Sequence, residues 1–157
     1  MAVRVTQVAG SLAKSQRSNL ERKVGATISS YFDAAFLSGK YPRTDFSGAF
    51  ASFTRGAARK AQRDRGLLTN AALGRSTESV TAKQKRVSLS VLAPKRSAAG
   101  VTALIRLVYV ADQAEAGSTK VTISGRLLLT RKQSSGWVIF GYDVARSAVP
   151  RSGKATR

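Results

Sequence analysis

Residues 136–147 read GWVIFGYDVARS. They hold the chain's only tryptophan, pass through Phe140 and Tyr142, and end on a charge at Arg146. Two readings compete. Either this is the last strand of a sheet, or Trp137, Phe140, Tyr142 and Arg146 form a stripe that reaches for a ligand. Period-two alternation favours the strand. Val138, Phe140, Tyr142 and Val144 share one side; Trp137, Ile139 and Asp143 share the other. The first set is expected in the core. Trp137 and Ile139 are then left as a candidate interface.

Working back from this strand, the same period recurs. TKVTISGRLLLTRK (119–132) alternates through Val121, Ile123, Gly125, Leu127 and Leu129. VTALIRLVYVA (101–111) is a nearly continuous run of β formers, expected of a strand covered on both faces. Val87, Leu89 and Val91 alternate with Arg86, Ser88 and Ser90. The breaks at 94–100, 112–117 and 132–136 are short and polar or glycine-bearing, which predicts a four-stranded antiparallel meander.

Upstream the period lengthens. From Ser15 to Leu37, Leu20, Val24, Ile28, Tyr31 and Ala35 recur at steps of three or four, with Phe32 and Phe36 widening the stripe. Gly39 then suits a C-terminal cap, and Pro42 bars continuation. Gly25 weakens this helix by about 1 kcal/mol relative to Ala unless a neighbour packs close there. Phe46, Phe50 and Phe53 lie on one helical face, and a second short helix begins at Thr54. Three segments follow: a lead-in at 1–14, one α+β domain at 15–147, and a basic tail at 148–157 expected to be disordered.

Charge is the compositional outlier. Among 157 residues, 27 are Lys or Arg and 8 are Asp or Glu, a formal net charge of +19. Such a surface attracts anions, and non-specific nucleic-acid binding at low salt is expected of it. Arg55, Arg59 and Arg63 align at four-residue steps with Lys60 beside them, a candidate anion-binding ridge. A solvated helix face would look the same and needs no partner. No helix-turn-helix, zinc-finger or RNA-recognition signature accompanies the ridge, so base-specific reading is not expected.

Enzymatic chemistry is thinly supplied. The chain has no Cys and no His, which removes thiolate chemistry, imidazole acid–base work and the usual zinc ligands. No catalytic set, metal site or cofactor motif stands out. GSTK (117–120) lacks the preceding glycines of a phosphate loop. No run approaches the roughly 18 apolar residues of a membrane span, and the start lacks the apolar centre of a signal peptide. The chain as written is expected to be soluble.

ISSYFDAAFLSG (28–39) and GRLLLTRKQSSGWVIFGYDV (125–144), in this order of elements, give the chain a likeness. Over residues 15–147 it resembles the nuclear transport factor two-like (cystatin-like, SnoaL-like) superfamily, and within it extracytoplasmic domains of actinobacterial Mce-associated-type proteins. The resemblance implies a long N-terminal helix and short helices packed on a strongly curved four-stranded antiparallel sheet, forming a cone. It also implies sheet-mediated homodimers and an extracytoplasmic setting. Some members are enzymes with a buried carboxylate and a tyrosine in the cone. By that likeness Tyr31, Tyr109 and Tyr142 are cavity candidates, with Asp33 and Asp143 as the nearby acids. The function expected is a non-enzymatic accessory or scaffold domain that offers its cationic surface to a protein, an anionic envelope polymer or a membrane surface. The alternatives are a nucleic-acid-associated protein and a small-molecule binder or enzyme.

Overall fold

The stripe of Leu20, Val24, Ile28, Tyr31 and Ala35 folds as one long helix. In the computed structural model, which describes residues 1–151, α1 (Lys14–Phe32) runs on through a π turn at Asp33–Leu37. All five stripe residues, with Phe32 and Phe36, are buried. At its start the Gln16 side-chain oxygen accepts from the Ala13 amide, satisfying one orphan donor. Gly39 follows with φ +100°, the left-handed conformation that favours glycine.

A single turn of 3-10 helix (Ser47–Phe50) and two short helices, α2 (Arg55–Arg63) and α3 (Arg65–Leu68), complete the helical layer. Phe46, Phe50 and Phe53 are all buried, although they sit on that turn and its flanks rather than on one helix. The Phe50 and Phe53 rings pack against Tyr31 of α1. The Tyr31 ring centroid lies 5.0 Å from Phe53 and 5.8 Å from Phe36, both near edge-on. Each such side chain contributes about 1.5–3 kcal/mol by leaving water.

The four expected strands are present as β2 (Ser79–Ala93), β3 (Gly100–Gln113), β4 (Gly117–Lys132) and β5 (Gly136–Arg151), each antiparallel to the next. The sheet itself needs correcting. It has five strands and is mixed, not four-stranded and antiparallel. The additional strand, β1 (Ala2–Gly10), pairs in parallel with β2 at one open edge. It lies in the segment expected to be a lead-in. Residues 148–151, expected in the tail, belong to β5. The expected disorder of the remaining tail lies outside the described residues.

Two physical reasons explain the missed strand. Val3 and Val5 alternate, but a register shift between Val5 and Gln7 moves Val8 out of phase. A bulge of this kind breaks the period that identifies a strand. Its partner also lies far along the chain, with Ala2 opposite Arg86. No hairpin signal can announce a parallel pair, whose strands need a long crossover.

A second bulge decides the faces of β5. Leu128 pairs with Gly141 and Leu129 with Ile139, so Phe140 is the extra residue. Before it, Trp137 and Ile139 point to the helices; after it, Tyr142 and Val144 do. Phe140 points outward and is 48% exposed. The expected assignment of Phe140 to the core is therefore corrected. Gly125 has φ +141°, and a Cβ there would overlap the Asp143 carbonyl. No helix among the described residues is long and apolar enough to cross a membrane.

Candidate functional site

Helix α2 is built to seat one side and expose the other. Thr54 caps it, its hydroxyl oxygen accepting from the Ala57 amide at 3.3 Å. Ala57 and Ala61, four residues apart, are buried, and their small side chains allow close seating. Arg55, Arg59, Lys60 and Arg63 occupy the remaining surface and are all exposed. At about 1.5 Å per residue, Arg55 to Arg63 spans roughly 12 Å.

Among the described residues no acid pairs with this ridge. Among the described residues one ion pair forms, Arg126 with Asp143 at 3.4 Å, with side chains 58% and 80% exposed. The nearest acid in sequence, Asp64, is already engaged: the Tyr142 hydroxyl donates to its Oδ2 at 2.6 Å. Lys60 leans toward the sheet, its Nζ 5.1 Å from the Tyr142 ring centroid. Lys60 and Arg63 suit the negative C-terminal end of the helix dipole, whereas Arg55 faces the positive end, with no acid in that first turn. Arg55 is thus not placed to stabilise its own helix.

A shallow groove of about 290 Å³ adjoins the ridge, lined in part by Gln62, Arg65, Arg75, Arg43 and Asp45. Arg43 is structural here. It donates to the carbonyls of Ala34, Ser38 and Asp45 and lies 4.1 Å from the Phe46 ring centroid. Asp45 accepts from Ser47, and the two Ser47 bonds hold its carboxyl below its ordinary pKa. Arg65 and Arg75 are exposed and extend the basic surface.

The three tyrosines expected at a cavity are drawn inward, and each hydroxyl is already used. Tyr31 donates to the Leu68 carbonyl at 2.8 Å, tying α1 to α3. Tyr109 donates to Asn70 Oδ1 at 2.8 Å. Asn70 in turn donates to the Tyr41 hydroxyl, which donates to the Phe36 carbonyl. Burial raises the pKa of Tyr31 and of Tyr109, the latter opposed by the nearby Arg146 guanidinium. Tyr142 is raised by desolvation first and by its bond to Asp64 second. Neither acid named beside these tyrosines makes a pair with one: Asp33 starts the π turn, and Asp143 faces Arg126 outside.

Trp137 and Ile139, expected as an interface, are 7% and 0% exposed within a single chain. The Trp137 carbonyl accepts from the Thr27 hydroxyl of α1, and the Ile139 backbone bonds to Ser52 and Thr54. Both are largely enclosed against α1 and the Ser52–Thr54 segment. One buried polar residue escaped sequence reasoning. Asn70 is a fully buried polar hub that nothing in its local sequence marks. Arg146, named in the opening stretch, keeps the period of Tyr142 and Val144 and lies on their side of β5.

The fold and surface define an α+β domain with one open mixed sheet, a buried phenolic network and an uncompensated cationic helix face. No family model, curated protein or solved structure matches the chain.

Proposed function

We propose that the protein is a non-enzymatic accessory domain that binds an anionic partner through the outer face of α2. The partner class put first is an acidic protein or an anionic envelope polymer. The second is nucleic acid, engaged through its phosphates without base reading. One observation carries this reading: Arg55, Arg59, Lys60 and Arg63 are exposed together with no acid paired to them among the described residues. Arg65 and Arg75 continue the same surface past the groove. Kinship with the nuclear transport factor two-like superfamily belongs to the same proposal. It is supported by the order of long helix, short helices and four-strand meander, and the extracytoplasmic setting follows from that kinship alone.

The test is fluorescence anisotropy of labelled polyglutamate and of a mixed-sequence DNA duplex over a series of salt concentrations. Changing all four ridge residues to Gln should lower the salt slope for the duplex by up to about 3.6, since each contacted phosphate contributes about 0.9. An unchanged slope would remove the ridge from the reading. Duplex binding that persists at physiological salt while polyglutamate binding does not would put nucleic acid first.

A further inference from the structure

A second basic surface lies where the start of α1 meets the turn between β4 and β5. Arg131 of β4 stands directly opposite Trp137 of β5, and residues opposite each other share a face of the sheet. That face is turned to α1, because Trp137 packs in one core with Leu20. Lys23 lies one helical turn before Thr27, whose hydroxyl donates to the Trp137 carbonyl. Two hollows, of about 600 and 100 Å³, meet at Lys23, Arg131 and Trp137 and form one groove. Gly136 opens the larger hollow: a Cβ there would meet no atom within 4 Å.

The groove is rich in donors and poor in acids. Lys23, Arg131 and Lys132 line the larger hollow, all exposed, and none is ion-paired among the described residues. No Asp or Glu occurs at 94–100 or at 126–142. Glu21, the one acid of α1, is engaged with the Val5 amide of β1. Gln16 and Asn19 line the smaller hollow. Their side-chain oxygens accept from the Ala13 amide and the Arg22 guanidinium, so the ends left to a ligand are the NH2 donors. Leu12, Leu20 and Ala98 add an apolar wall beside Trp137.

Cations that converge without an acid repel one another, and a carboxylate offsets only one of them. A phosphate monoester brings about 1.5 to 2 negative charges at neutral pH and three acceptor oxygens, two of which an arginine fork can bond side by side. We propose that this groove is a binding site for a phosphate monoester group. Lys23, Arg131 and Lys132 hold the phosphoryl oxygens, and the organic substituent lies on the wall of Leu12, Leu20 and Ala98. The site shares no residue with the α2 ridge and does not rest on the function proposed for it.

Trp137 is the chain's only tryptophan, so its emission, excited beyond the tyrosine band, reports on this groove. Ethyl phosphate is the probe, replacing chloride at constant ionic strength, with acetate as the comparison. Ethyl phosphate should shift the emission saturably, and acetate should not. The affinity should fall as pH drops through about 6, where the phosphate gains a proton and loses a charge. Lys23→Gln and Arg131→Gln lie at exposed positions and should leave Tm unchanged. Each should weaken binding about tenfold or more, the loss of one charge-assisted bond. The four-fold ridge variant should bind ethyl phosphate as the wild type does, whatever happens to its duplex binding. An equal saturable response to acetate would overturn the phosphate assignment. Binding that survives both Gln changes, or that disappears in the ridge variant, would overturn the site. So would a flat emission together with no heat of binding in calorimetry. Phosphatidylcholine vesicles carrying phosphatidic acid present the same group on a lipid. Tighter binding to them than to ethyl phosphate, at equal phosphate, assigns the group to a membrane lipid; the reverse assigns it to a free ester.

Discussion

Ile139 and Phe140 are chain neighbours with opposite surroundings, and the single extra residue at the bulge separates them. Ile139 is fully enclosed between β5 and the segment at Ser52–Thr54, so Ile139→Ala should cost about 2–5 kcal/mol. Phe140→Ala removes an aromatic that is half in water and should cost less than about 1 kcal/mol. Urea denaturation of the two variants checks both. A larger loss at Phe140 would mean that the bulge lies elsewhere. Period-two reasoning placed Tyr142 and Val144 on the inward side, where they are. It failed for Trp137, Ile139 and Phe140 because an alternation carries no record of where a residue is inserted. Arg146 keeps the period of Tyr142 and Val144 and falls on their side of β5, as the alternation implies; the enclosure of its Nε and Nη2 leaves no mark in GWVIFGYDVARS.

Among elements, α1 and the four-strand meander were legible because their periods run unbroken over many residues. The parallel edge strand was not, yet a trace of it stood in the helix. Gly25 is costly in mid-helix unless something approaches closely. The close neighbour is Val3 of β1: a Cβ on Gly25 would lie 3.1 Å from Val3 Cγ2. Glu21, one turn earlier, accepts from the Val5 amide at 2.8 Å and fixes the same strand. Gly25→Leu should therefore push β1 from its seat and cost about 1–3 kcal/mol. Hydrogen exchange locates the damage. The β1 amides should lose protection while those of β3 and β4 keep theirs. Adding Val3→Ala should recover part of the loss by making room. Failure of that second change to help would show that Gly25 is placed for some reason other than contact with β1.

At the scale of the whole molecule, the net charge of +19 was legible from composition, but which charges are enclosed was not. The buried phenols give the molecule an alkaline limit whose sign can be worked out. Tyr31 and Tyr109 are held well above their ordinary value of 10.0 by burial. In the unfolded chain both ionise from about pH 10. The folded chain then holds more protons than the unfolded one, so stability present below pH 10 falls as pH rises above it. Each enclosed phenol should contribute about 1.4 kcal/mol per pH unit to that fall. Lysine deprotonation acts in the opposite direction by easing self-repulsion, so the wild-type slope mixes the two effects. Tyr109→Phe separates them. The variant should be less stable near neutrality by about 1–3 kcal/mol, because Asn70 Oδ1 loses its donor. Above pH 10 its stability should fall less steeply than that of the wild type, by about 1.4 kcal/mol per pH unit. Urea unfolding across that range measures both slopes. Parallel curves would mean that the Tyr109 phenol reaches water in the folded state, and that the hydrogen-bonded network from Tyr109 through Asn70 to Tyr41 opens without unfolding the sheet.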